Sequence, residues 1–114
     1  MFEYESILAA DRTVVALRGE LDTFAAQKLD AFLADLVSRA ESPITVDLAE
    51  LQYMNSSGLR SFLRLDKLIQ SRGLSFVIRG TQRHVARTFI YGSLDAYFKF
   101  EEPDISAHTK VARI

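Results

Sequence analysis

The chain is 114 residues long, with 48% hydrophobic and 25% charged residues and a formal net charge of −1, the size and balance of one soluble globular domain in which roughly two-thirds of the unfolded surface can be buried. It contains no cysteine, which excludes a disulfide framework, a thiolate nucleophile and a thiolate metal site. No apolar run approaches the ~18–20 residues of a membrane span, and the acidic start Met1-Phe2-Glu3-Tyr4-Glu5 lacks the basic opening of a signal peptide, so no membrane span and a cytoplasmic location are expected.

Ser6 to Ala10 and Thr13 to Leu17 read as strands joined at Asp11-Arg12, with Gly19 closing the second. The β-branched, apolar run Val14-Val15-Ala16-Leu17 suits a buried strand. Asp22 or Thr23 caps the helix that follows, where Ala25, Ala26, Leu29, Phe32, Leu33, Leu36, Val37 and Ala40 recur at three and four and form one apolar stripe. Ser42-Pro43 stops it. Ile44 to Leu48 reads as a central parallel strand. A Ser-Ser-Gly turn then leads into a second helix starting at Leu59, with Phe62, Leu63, Leu65, Leu68 and Ile69 on its apolar face, Asp66 pointing outward and Gly73 at its end. Leu74 to Ile78 is the fourth strand. Thr81 caps a third helix bearing Val85, Ala86, Phe89 and Ile90, which closes near Gly92, and Ala96 to Phe100 reads as a short last strand. The expected fold is a single α/β domain over residues 1–100, with the order β-β-α-β-α-β-α-β and helices packed on a mixed, mostly parallel sheet of four to five strands. Residues 101–114 are a polar tail expected to fray or to add a short element.

Residues 1–58 carry ten acids and four bases, and residues 59–114 carry ten bases and five acids. The basic excess runs through Arg60, Arg64, Lys67, Arg72, Arg79, Arg83 and Arg87. Its readings are solvated helix faces or a docking face for an acidic partner.

Little in the chain suggests catalysis. His84 and His108 are far apart and read as surface residues. No metal-ligand spacing, phosphate-cradling glycine loop, dinucleotide fingerprint or nucleophile elbow occurs, so neither enzyme nor cofactor is expected. With a pI near 6.1 and no exposed aromatics interleaved in the basic segment, direct nucleic-acid binding is not expected either. Tyr91, Tyr97, Phe98 and Phe100 read as core or strand residues.

Asn55-Ser56-Ser57-Gly58 places two hydroxyls where a loop enters a helix. Unpaired backbone N–H groups and the positive end of the helix dipole favour an anion there. The bland reading is a cap and a tight turn, with Ser57 the capping residue and Gly58 permitting an unusual angle or a close approach. The sharper one is a phosphorylation site.

Separated motifs favour the second reading. Leu17-Arg18-Gly19-Glu20-Leu21-Asp22, Val46 to Met54, Asn55-Ser56-Ser57-Gly58-Leu59, and Tyr91-Gly92-Ser93-Leu94 followed by Tyr97-Phe98-Lys99-Phe100 resemble, in order and spacing, motifs of the STAS family, specifically its bacterial anti-sigma factor antagonists. The resemblance covers about residues 5–100 and implies a STAS-like domain. It implies that Ser56 is the phosphorylated serine and that Asp22, Asn55, Ser57, Gly58, Arg60 and Arg64 belong to the partner-binding region. The implied partners are an anti-sigma factor with a GHKL-type serine kinase fold, which releases the phosphorylated antagonist, and a metal-dependent serine phosphatase that resets it. A monomer is the default. The family's usual aspartate before the serines is Asn55 here, and Arg60 stands where many relatives have glycine. Arg60 is expected to pair with a Ser56 phosphate. The alternative is a non-phosphorylated STAS interaction subunit of a signalling scaffold or of a lipid/ABC transport complex.

Overall fold

The computed structural model describes residues 1–101 of the chain. Its elements run β1 (Phe2–Leu8), β2 (Thr13–Leu21), α1 (Thr23–Arg39), β3 (Ile44–Met54), α2 (Ser56–Ser71), β4 (Phe76–Arg79) and α3 (Arg83–Tyr91). The four strands lie in the order β1-β2-β3-β4. The first pair is antiparallel, as a short connection permits, and the other two are parallel, each crossover being made by a helix. The mixed α/β sheet expected from the sequence is present.

Strand alternation divides the sheet into two chemically different faces. Val15, Leu17, Ile44, Val46, Leu48 and Ile78 are each at most 1% exposed. They form one core with Leu29, Leu33 and Val37 of α1 and Phe62, Leu65 and Ile69 of α2. The in-between positions of the other face include charged residues that pair with one another. There Arg18 pairs with Glu5 at 2.8 Å and Glu3 at 3.7 Å, and Arg79 pairs with Asp47 at 3.2 Å. Tyr4 and Phe32, with ring centroids 4.4 Å apart, tie β1 to α1.

Several boundaries differ from expectation. The first strand starts at Phe2 rather than Ser6, the second continues past Gly19 to Leu21, and the fourth is Phe76–Arg79 rather than Leu74 to Ile78. Gly19 lies within the pairing at φ +91° and leaves room for the Met1 carbonyl, which a Cβ there would meet at 2.0 Å.

The expected last strand, Ala96 to Phe100, is a turn ending in a single parallel bridge between Ile78 and Phe100. Tyr97 and Phe98 both donate to Leu94 O, which curls the chain. The turn sends Phe98 into the core, within 6.2 Å of the Phe62, Phe76 and Phe89 ring centroids. Packing three aromatics outweighs extending the sheet by one short edge.

Thr81 does not cap the third helix. It is 3% exposed, and the cap position is Gln82, which makes no side-chain cap bond and instead donates to Ala49 O at 2.7 Å. Asp66 is half-buried rather than pointing freely outward, and accepts from Tyr97 Oη at 2.8 Å and Gln70 Nε2 at 2.7 Å. The hydrogen bond from the phenol to Asp66 raises the Tyr97 pKa above the ordinary tyrosine range. Apart from Glu101, the expected tail lies outside the described residues.

The basic run does not form one face. Arg72 donates to Val37 O and Ala40 O and so closes the C-terminal end of α1 with a cation, as the helix dipole favours. Arg64 reaches across to Asp30 of α1, and Arg79 lies on the opposite face of the sheet with Asp47. Among the described residues Arg60, Lys67, Arg83 and Arg87 are exposed and in no ion pair. No helix of the described residues is long and apolar enough to cross a membrane.

Candidate functional site

The parallel pairing of β2 with β3 sets Leu21 opposite Met54, and a helix begins immediately beyond each. The N-termini of α1 and α2 therefore lie side by side at one pole of the domain. Each cap is an Asx residue in extended backbone, Asp22 before α1 and Asn55 before α2. Asp22 Oδ1 accepts from Ala25 N at 2.9 Å. Asn55 Oδ1 accepts from Ser57 N at 3.0 Å and Gly58 N at 3.3 Å, while its own N–H donates to Leu21 O at 3.3 Å. The side-chain oxygen of each cap thus satisfies N–H groups that would otherwise be unpaired.

This geometry corrects the sequence reading of the serines. Ser56-Ser57-Gly58 is not a turn before a helix starting at Leu59. It is the first turn of the helix itself, with Ser56 its first residue. Ser57 is not the cap: Asn55 takes that role, its Oδ1 being the oxygen that reaches the first-turn N–H groups. Ser57 Oγ lies 3.1 Å from Thr23 Oγ1, a bridge between the two helix starts, and accepts from Arg60 Nη2 at 3.2 Å. Ser56 is exposed, so the hydroxyl at the first position of α2 is accessible.

Gly58 is needed for close approach rather than for an unusual backbone angle. It is buried, and a Cβ there would sit 2.5 Å from Met54 Cγ and 2.9 Å from Leu21 Cγ. The helix start is pressed directly onto the ends of β2 and β3, which fixes where Ser56 stands.

Asp22, Asn55, Ser56, Ser57, Gly58 and Arg60 therefore meet at the pole. Arg64 does not, because its guanidinium turns to Asp30.

Three nearby aromatics are not among the expected site residues. Phe24, next to Thr23, is 79% exposed, and Tyr53, two residues before Asn55, is 48% exposed. Tyr91 is 81% exposed rather than a core or strand residue, as Tyr97 is at 58%. Tyr91 precedes Gly92, where a Cβ would lie 3.0 Å from Leu59 Cδ1. Phe24 interrupts the three-and-four stripe of α1, a signal that it points away from the core. Tyr53 and Tyr91 fall within the matching motifs, but no periodicity marks their side chains as exposed. Among the described residues no group of three or more His, Cys, Asp or Glu is arranged to hold a metal.

The family described as "Mlab, STAS domain" matches residues 8–101, and the chain belongs to the STAS domain family. It is 28% identical over 85 residues to the anti-sigma-B factor antagonist of Staphylococcus epidermidis, covering 75% of this chain and 79% of that protein. Among solved structures it resembles an anti-sigma factor antagonist from Mycobacterium paratuberculosis, with a TM-score of 0.77 and 18% identity over 100% of this chain and 96% of that one. It also resembles the Bacillus cell-fate determinant SpoIIAA in the phosphorylated form, with a TM-score of 0.66 and 19% identity over 97% and 99% of the two chains.

Asn55 suits the cap position. The role it fills needs a side-chain oxygen, not a charge, and asparagine supplies one. Asn55→Ala is expected to destabilise the domain by about 1 kcal/mol. Asn55→Asp is expected to match the natural protein or exceed it by ~0.3–1 kcal/mol, because an anion at a helix N-terminus is favoured. Urea unfolding of the three proteins checks both expectations.

Proposed function

We propose that this protein is a non-enzymatic anti-sigma factor antagonist, switched at Ser56 within a partner-switching pathway. In the unphosphorylated state its pole binds an anti-sigma factor of GHKL-type serine kinase fold. That kinase transfers the γ-phosphoryl group of ATP to Ser56 Oγ: the new bond forms between oxygen and phosphorus, ADP leaves, and the hydroxyl proton passes to a base of the kinase. The phosphorylated protein is released, and a serine phosphatase returns it to the binding state.

The observation that carries this reading is the exposed Ser56 hydroxyl on a rigidly seated helix start. Asn55 fixes the backbone N–H groups, and Gly58 holds the turn against Leu21 and Met54. A phosphate adds about −1.5 to −2 charge at neutral pH. On the free protein it stays in water beside the positive end of α2. Inside an interface it must be desolvated, which costs several kcal/mol unless it is paired. One modification thus leaves the fold intact and breaks the complex. The named relatives, called anti-sigma factor antagonists, support the same reading.

Phe24, Tyr53 and Tyr91 form the apolar part of the proposed footprint, since exposed aromatics around a polar centre are the usual anchors of an interface. Phe24→Ala is expected to weaken binding to the kinase by ~1–2 kcal/mol, about five- to thirtyfold, with no fall in melting temperature. Calorimetric titration and a thermal melt of the same variant check this together.

The uncharged Asn55 favours a second reading, a STAS interaction subunit of a scaffold or transport complex that is never phosphorylated. Intact-protein mass spectrometry after incubation with kinase and ATP separates the two.

A further inference from the structure

The geometry points to Arg60 as an intramolecular clamp for a phosphate on Ser56, giving the phosphorylated state a partner of its own within this chain. The inference rests on the proposal that Ser56 is the modified residue.

Arg60 lies four residues after Ser56 on α2, hence on the same helix face, with Cβ atoms about 5–6 Å apart. Side chains on a helix lean toward its N-terminus, and Arg60 does so here, its Nη2 donating to Ser57 Oγ at 3.2 Å. The guanidinium already lies over the first turn. Reaching the neighbouring residue requires side-chain rotation only, with no change of backbone. Arg60 is exposed and in no ion pair among the described residues, so no carboxylate there competes for it. The first turn of α2 contains no acid, because the cap is Asn55. A phosphate at Ser56 therefore adds to a turn that has a cation and no resident anion.

The charged and titratable groups nearest the pole each have a partner other than Arg60. Asp22 accepts from Ala25 N, Glu20 lies 3.3 Å from the Met1 amino nitrogen, and Arg64 pairs with Asp30. His84 Nε2 is bonded to Gln52 O. Arginine presents a planar fork that matches two phosphate oxygens at once. The clamp trades one hydrogen bond to the neutral Ser57 hydroxyl for bonds to an anion.

The test installs phosphoserine at position 56 during synthesis, so that it does not depend on any kinase. Phosphorus NMR then follows the second ionisation of the phosphate, near pH 6 in an unpaired phosphoserine. A nearby cation favours the dianion and lowers that midpoint. With Arg60 present the midpoint is expected to lie roughly 0.5 below that of Arg60→Ala, the size of an exposed ion pair. Arg60→Gln is expected to behave like Arg60→Ala, and Arg64→Ala like the natural sequence. The difference shrinks as salt is added. The helix dipole acts equally in every variant and cancels.

Thermal melts of the unphosphorylated variants show that each is folded. Identical midpoints with and without Arg60 would overturn the clamp, and so would an equal rise in Arg64→Ala. Either result leaves the reading of Ser56 as a kinase substrate standing, because that is measured separately with the unmodified protein. Failure of the kinase to modify Ser56 removes the switch without altering the titration.

Discussion

Gly58→Leu is expected to destabilise the domain by about 3 kcal/mol, lowering the melting temperature by on the order of 10–20 °C for a domain of this size. The reason is local and steric. Gly58 lies inside α2, where helix propensity alone predicts that Gly→Ala would stabilise by about 1 kcal/mol. The close approach predicts the opposite sign. Even a lone Cβ would meet Met54 Cγ at 2.5 Å and Leu21 Cγ at 2.9 Å. Leu21 and Met54 are 0% and 3% exposed, and the contacted atoms are not free chain ends, so neither side chain can swing aside. Gly58→Ala is accordingly expected to be destabilising, and Gly58→Leu more so. A melting temperature unchanged in Gly58→Leu, or raised in Gly58→Ala, would show that α2 is not seated on the strand ends in this way.

The second large effect concerns binding. Ser56→Glu is expected to lower affinity for the proposed kinase partner at least ~tenfold, which needs only ~1.4 kcal/mol, while leaving the melting temperature equal or slightly higher. The two outcomes have one origin. A carboxylate at the first position of α2 is favoured by the helix dipole by ~0.3–1 kcal/mol when the protein is free. The same charge is penalised once an interface removes its water. Ser56→Ala adds no charge and is expected to keep the affinity. Loss of binding in both variants would mean that the hydroxyl itself is a contact. Loss in neither would place Ser56 outside the interface. Titration calorimetry on both proteins, with matched melts, separates these cases.

Much of this architecture is legible in the sequence because its signals are periodic. The α1 stripe and the β-branched cores of β2 and β3 are set by burial on one face, which fixes residue type at every second, third or fourth position. The pole was visible as motifs, since Gly-Glu-Leu-Asp and Asn-Ser-Ser-Gly lie where strands end and helices start. The terms that depend on three-dimensional neighbours were not visible. Whether Asn55 or Ser57 caps α2 is decided by which backbone N–H groups each oxygen reaches, and either residue type is a good cap. The apparent basic face dissolved because arginine is long. Arg72 and Arg79 extend to carbonyls and a carboxylate that are more than thirty residues away in sequence. The last strand failed for the related reason that Phe98 is drawn into an aromatic cluster assembled from α2, β4 and α3. Phe24 stands out only once exposure is known, since Phe62, Phe76, Phe89 and Phe98 are buried, and Tyr53 and Tyr91 stand out by their place beside the helix starts.

The central claim, that this pole is a phosphorylation-controlled docking site, is tested most directly by incubating the protein with ATP and an anti-sigma factor of GHKL-type serine kinase fold from the same organism. The kinase is first shown to be active on another substrate, and the product is then read by intact-protein and peptide mass spectrometry. The account predicts a single phosphoryl group on Ser56, undiminished in Ser57→Ala and absent in Ser56→Ala. A protein that stays unmodified, or one that is phosphorylated equally well after Ser56→Ala, would contradict it.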